Sequence, residues 1–324
     1  MEDVRRRPGR PTHNSTRWPY CGGVSEGLFG AIEAGGTKFV CAVGSSPTDI
    51  RAETRFATAA PEQTMAKAIG FFTEWIARNG PLVGVGVASF GPVELRLDHP
   101  AYGHITTTPK PHWSGADVVG PLRSALAVPV GFDTDVNGAA LGEGRWGAAS
   151  GLHTFVYLTV GTGIGGGAVV NGEVAHGLVH AEMGHVSVRR LDGDDFPGVC
   201  PFHGDCLEGM AAGPALAARL GQPAETLSGS ALEEAVAVEA HYLAEGVRNI
   251  VYALAPQRVI VGGGTSAMPG LLPELRRRLV AALAGYPGLP EHAAADFVVP
   301  PGLGDAAGIA GAFVLAGADA GRDR

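Results

Sequence analysis

Two apolar runs around a short glycine turn open the patterned part of the chain: LFGAIEAGGTKFVCAV, residues 28–43, predicts a β-hairpin. Residues 61–78 carry Met65, Ile69, Phe72 and Ile76 at helical spacing and predict a helix, after which the apolar run 82–87 predicts a strand. A further strand is expected over 128–132, entering a polar turn of Asp133, Thr134 and Asp135 and then a helix over about 137–146. The second half restarts in the same way. TFVYLTVGTGIGGGAVV, residues 154–170, is again strand, glycine turn and strand, and Asn171-Gly172 marks a tight turn. Helices are expected over about 209–220 and 231–254, a strand over RVIVGGG, and a helix over about 269–284. Alternating strands and helices with an internal restart predict an α/β protein of two similar lobes, related by duplication, with a cleft between them.

Residues 1–27 are rich in Pro, Arg and Gly without apolar periodicity, so a disordered extension or a misassigned start is expected there. The length, 324 residues, suits two domains. Fifty glycines are about twice the usual share of roughly 7% and suggest backbone loops that approach a ligand. Net charge is -8, and the dense basic tracts are confined to residues 5–7 and 276–278, which argues against tracking the phosphates of nucleic acid. No run approaches 18 apolar residues, and the N-terminal Arg tract leads into polar sequence, so neither a membrane span nor an export signal is expected and the cytoplasm is the expected compartment. In that reducing setting the four cysteines, Cys21, Cys41, Cys200 and Cys206, favour metal over disulfide.

Three glycine turns follow expected strands: Gly35-Gly36-Thr37-Lys38, Gly161-Thr162-Gly163 and Gly262-Gly263-Gly264-Thr265. Backbone N–H groups without a neighbouring Cβ can approach phosphate oxygens, and Thr hydroxyls and Lys38 add donors. Any one of the three alone reads as a tight turn; together they favour phosphate binding. Residues 161–166 also fit G-x-G-x-x-G, but a strand follows where a dinucleotide-binding fold needs a helix. None of the three lysines sits in a P-loop motif. Cys200, His203 and Cys206 form C-x2-H-x2-C, and His185 upstream supplies a fourth ligand, a set suited to a closed, structural tetrahedral zinc site. Asp133, Asp135 and Asn137 read by themselves as helix capping, and Glu182 and Glu208 as surface charge.

Assembled, these residues resemble the ROK family of sugar kinases, and within it the bacterial, zinc-containing fructokinase branch. The resemblance rests on GAIEAGGTKFVCAVG, FGPVEL, GHITTTPKPHW, FDTDVNGAALGEGRWGAA, TVGTGIGGGAVVNGEVAHGLVHAEMGH and CPFHGDCLEG, and runs from about residue 29 to about 316. It implies a two-lobed actin-like, ribonuclease-H-like fold with an interlobe cleft, and ATP-dependent phosphorylation of a hexose hydroxyl with Mg²⁺. The lobes implied are 28–132, joined by a returning helix over 305–317, and 133–304, which carries the zinc loop 185–206. Residue by residue, the resemblance makes Asp135 the general base; an Asp of ordinary pKa, about 3.9, would be ionised at neutral pH. Gly35, Gly36, Thr37 and Lys38 become the first phosphate loop, Gly161, Thr162 and Gly163 the second, and Gly262, Gly263 and Gly264 lie near the adenosine. Thr134, Asp135, Glu182, His185 and Glu208 fall on the sugar, with His185 serving sugar and zinc together.

Two departures fit the fructokinase branch: Glu33 stands where many members have Asp, and Thr134 where many have Asn. The preferred expectation is D-fructose phosphorylated at O6. A broader glucokinase or mannokinase, or a sensor that binds sugar without turnover, are the alternatives. The resemblance also implies a homodimer, and the short stretch before the first motif leaves no room for the DNA-binding domain of the family's repressors.

Overall fold

The structure, a computed structural model, describes residues 27–320, so the extension expected at the start of the chain lies outside the described residues except for Gly27. β1 (Phe29–Ala34) and β2 (Lys38–Ser46) form the first expected hairpin, in register from Phe29↔Gly44 to Ala34↔Phe39. β3 (Asp49–Ala57) adds to β2 antiparallel, and none of its residues is buried. It is a sheet edge whose polar positions keep it soluble. α1 (Pro61–Asn79) begins with proline, whose missing N–H is not needed in a first turn, and buries Met65, Ala68 and Phe72. β4 (Val85–Ser89) and β5 (Val130–Thr134) are wholly buried and extend the sheet in parallel, with α2 (Val119–Leu126) between them in sequence. α3 (Asp135–Trp146) follows β5 directly.

The second half repeats the plan. β6 (Phe155–Val160), β7 (Ile164–Val170) and β8 (Glu173–Val174) are antiparallel neighbours. Beyond them come α4 (Leu207–Ala211), α5 (Gly213–Leu220) and α6 (Gly229–Leu254). The single helix expected over 209–220 is thus broken, because Ala212 is extended (ψ 159°) and Pro214 starts a new first turn. β9 (Arg258–Gly262) lies parallel to β6, α7 (Leu271–Leu283) follows, β10 (Val298–Val299) closes the sheet, and α8 (Ala307–Ala320) ends the described chain. The sheet orders are β3-β2-β1-β4-β5 and β8-β7-β6-β9-β10, the same arrangement twice, as duplication predicts. No described helix is long and apolar enough to cross a membrane.

α3 and α8 fill the space between the sheets. One core cluster joins Ala31 and Ala88 of the first sheet, Ala139 and Leu141 of α3, Ala312 and Phe313 of α8, and Phe155 and Ile260 of the second sheet. The helices cross at backbone distance: a Cβ on Gly311 would lie 1.7 Å from the Gly138 carbonyl oxygen, and one on Gly142 2.6 Å from that of Ala307. α8 lies as close to the first sheet, since a Cβ on Gly86 would lie 1.8 Å from the Ala312 carbonyl oxygen. Much of the glycine excess therefore serves helix and sheet approach, and the reading of it as ligand loops holds for only part of the set.

The crossing is locked by Glu143, fully buried on α3. Its Oε2 accepts from the Ala148 N–H at 2.6 Å and the Gly302 N–H at 3.0 Å, and its Oε1 from the Leu303 N–H at 2.9 Å. One carboxylate thus ties the end of α3 to the segment that leads into α8.

Candidate active site and metal cluster

A cleft of about 750 Å³ opens beside the crossing, lined among others by Glu33, Lys38, Asp135, Asp305 and Gly262 to Gly264. Asp135 reaches it because β5 ends there and α3 starts without a loop. The capping expected of Asp135 falls instead to Thr134, which is buried and whose hydroxyl accepts from the Asn137 N–H at 3.1 Å. Asp133 is also buried and spent: it accepts from the Thr134 N–H and the Asn137 amide, both at 2.7 Å, and lies 2.9 Å from His176 Nε2. Among the described residues, Asp135 accepts from backbone N–H groups, Val136 at 2.9 Å among them.

Burial lifts the Asp135 carboxyl from 3.8 to about 7, with the negative charges of Glu33 and Glu182 adding to the rise and backbone N–H groups opposing it. The expectation of an Asp fully ionised at neutral pH is therefore corrected: its pKa sits near the operating pH, where a base is strong enough to take a proton and still largely available. Glu33 is likewise raised by burial, against the pull of Lys38 and Arg55.

All three glycine turns lie at strand ends, but only Gly262 to Gly264 and, from the first turn, Lys38 line this cleft, while Gly161 and Thr162 line a neighbouring cavity. Gly35 N–H bonds the Lys38 carbonyl at 2.9 Å, which closes the β1–β2 turn and leaves Thr37 and Lys38 exposed. In the β6–β7 turn the Gly161 N–H bonds the Gly163 carbonyl at 2.9 Å, with Thr162 exposed at the tip. Gly263 has φ +89° and a Cβ there would lie 2.4 Å from the Val160 carbonyl oxygen, so this position requires glycine. A second cavity of about 850 Å³ adjoins the first at Gly264, Ala267 and Met268 and is walled by Gly161, Thr162, Pro214 and Leu227.

Glu208, on α4, accepts from the Ile164 N–H at 2.9 Å and so stands against the second glycine turn. Glu182 precedes a single tight helical turn, Met183–His185, and is partly exposed. His180 Nδ1 lies 3.4 Å from its Oε1; the sequence reading passed over His180, as it did Asp305 on the cleft wall. No local pattern marks either residue.

His185, Cys200, His203 and Cys206 converge, with their ligand atoms all within 4.8 Å of one another. His185 Nδ1 lies 3.7 Å from Cys200 Sγ and 3.6 Å from Cys206 Sγ, and His203 Nδ1 lies 3.7 Å from Cys200 Sγ. Metal bonds of about 2.0 to 2.3 Å spread tetrahedrally give edges of about 3.3 to 3.8 Å, so the residues present fit a four-coordinate ion. Cys41, Cys200 and Cys206 are unpaired with one another, and Cys21 lies outside the described residues.

Residues 29–319 match the ROK family. The chain belongs to it. Among ROK proteins it is similar to a fructokinase of Zymomonas mobilis, 43% identical over 294 residues that span 89% of this chain and 96% of that one. A fructokinase of Pediococcus pentosaceus is 40% identical over 290 residues, 89% of this chain and 97% of that one. The fold is shared with the crystal structure of a ROK hexokinase from Thermus thermophilus, at TM-score 0.73 and 27% identity over 89% of this chain and 97% of that one. A ROK family glucokinase from Streptomyces griseus, solved in complex with glucose and AMPPNP, gives TM-score 0.67 and 25% identity over 90% and 99%. The ROK resemblance read from the motifs, and the two-lobed actin-like fold it implied, are both borne out.

Proposed function

We propose that this ROK protein transfers the γ-phosphoryl group of ATP to O6 of D-fructose, with Asp135 as general base. The observation that carries the reading is Asp135 at the start of α3, on a cleft shared with Lys38 and the Gly262–Gly264 turn, with its carboxyl raised to about 7. The fructokinase relatives, similar over nearly their whole length, supply the substrate.

In this reading the sugar hydroxyl gives its proton to Asp135 as its oxygen attacks the γ-phosphorus, and the bond to the bridging oxygen breaks to release ADP. Gly35 to Lys38 and Gly161 to Gly163 hold the phosphates, so that backbone N–H groups and Lys38 meet the charge that develops there. Mg²⁺, when bound, would neutralise phosphate charge; Glu33 and Asp305 are the carboxylates on that wall of the cleft. Gly262 to Gly264 lie at the adenosine, and the adjoining cavity takes the base. Glu182, His185 and Glu208 bind sugar hydroxyls, while Thr134 acts through the helix it caps. The reading includes a cytoplasmic enzyme, where ATP is supplied, and a homodimer, which light scattering would check.

The test is ATP-dependent phosphate transfer across fructose, mannose, glucose and N-acetylated sugars. Fructose is expected to give the highest kcat/KM. A better result with glucose or mannose would make the protein a broader hexokinase, and binding without transfer to any sugar would make it a sensor.

The metal of the His185, Cys200, His203, Cys206 set is proposed to be zinc, held structurally, because two thiolates and two imidazoles suit that ion and leave no open position. It would tie together the ends of the loop, residues 185–206, whose Val186, Val188, Leu191 and Phe196 pack on the core of the second half, with His185 also touching the sugar through its other nitrogen. Purified protein is expected to carry about one zinc per chain and to melt at lower temperature after chelation. Less than half an equivalent, with melting unchanged by chelation, would remove zinc from the reading.

A further inference from the structure

The segment between β8 and the Met183–His185 turn carries Glu182, and two histidines fix it to the first half of the molecule. His176 and His180 face each other across a short antiparallel bridge. From that bridge His176 Nε2 reaches Asp133 on β5, at 2.9 Å. His180 is 7% exposed, and its Nε2 accepts from the Val93 N–H at 3.2 Å, an interaction between residues 87 apart in sequence. A neutral imidazole has one proton. If Nε2 accepts, the proton resides on Nδ1. That nitrogen lies 3.4 Å from Glu182 Oε1.

Glu182 is 43% exposed and has three rotatable bonds, so without a partner its carboxylate would sample several directions. The buried His180 ring, with Nδ1 3.4 Å from Oε1, limits those directions on one side. The ring is in turn held by a backbone N–H of the loop after β4, so the position of Glu182 depends on how that loop sits against the second half of the chain.

We infer that His180 is a positioning residue for sugar binding, which holds the Glu182 carboxylate in place through Nδ1–H while its Nε2 is anchored by Val93. The inference rests on the reading above that Glu182 binds the sugar, and it names the residue that decides where Glu182 points.

The two ring nitrogens can be separated by substitution. In His180→Asn the side-chain amide falls near the Nδ1 position and can still donate to Glu182, but it is too short to accept from Val93. In His180→Gln the amide reaches the Nε2 position and can accept from Val93, but nothing is left to donate to Glu182. With the full-length enzyme, His180→Gln is expected to raise the KM for fructose about tenfold, as when a hydrogen bond to a charged group is lost, with the KM for ATP unchanged. His180→Asn is expected to keep the KM for fructose within about threefold of the parent. A residue that only supports the fold would lower kcat and stability in both variants and move both KM values together. Equal losses in the two variants, or a normal fructose KM in His180→Gln, would overturn the inference. A parent enzyme that fails to phosphorylate fructose would instead reject the proposed function itself, so the two failures are distinguishable.

Discussion

Asp135→Asn is expected to lower kcat for fructose by about 10² to 10⁴, the range that a lost general base costs, while the KM for fructose stays within about threefold. The amide keeps the shape of the carboxylate and cannot take a proton. In the parent, kcat/KM should rise with pH to a plateau above about 7, because the base is mostly protonated below that value. The variant should lack this limb. Stability should move the other way. A carboxyl raised from 3.8 to about 7 binds its proton more tightly in the folded chain, so it contributes stability at low pH that is lost as pH rises through that window. At pH 8 the Asn variant, free of that charge, should melt no lower than the parent. Turnover within tenfold of the parent, or an acid limb that survives the substitution, would place the base elsewhere.

Glu143→Ala carries the largest expected loss of stability. It leaves the N–H groups of Ala148, Gly302 and Leu303 without their acceptor inside the protein, at about 1 to 3 kcal/mol each when no replacement partner is found. Some entry of water will offset part of this, so a loss of about 3 to 5 kcal/mol is expected, or roughly 10 °C in melting temperature for a chain of this size. Denaturant titration with the slope monitored would measure it. Since Gly302 and Leu303 lead to Asp305 on the cleft wall, kcat of the variant should fall even below its melting range. A loss under about 1 kcal/mol would mean that Glu143 is not the lock between α3 and the last helix.

What could be read from the chain is what local chemistry writes into it. The hairpin turns show themselves because glycine sits between apolar runs, and the Cys/His cluster because C-x2-H-x2-C sets three of its four members close together in sequence. Asp135 stands out through the strand and helix that flank it, although a cap and a base look alike until Thr134 is seen to do the capping. β3 escaped notice because an edge strand with no buried residue has no apolar face to announce it. His180 and Glu143 escaped for another reason: their partners are 87 and about 160 residues away, and such pairings leave no periodicity behind. The ionisation of Asp135 was misjudged because a pKa belongs to a burial that only the assembled halves create.

The last helix has a consequence for how the protein is made. α8 covers the sheet built from the earliest strands, with Gly86 and Gly131 shaped to receive its backbone and a Cβ on Gly317 falling 4.0 Å from the Phe29 ring. On the ribosome, that first sheet must wait for its cover until translation is nearly finished, whereas the second sheet has its own helices soon after its strands emerge. The half synthesised first is thus the half sealed last, and a chain cut short before residue 307 would leave Ala31 without the helix that covers it.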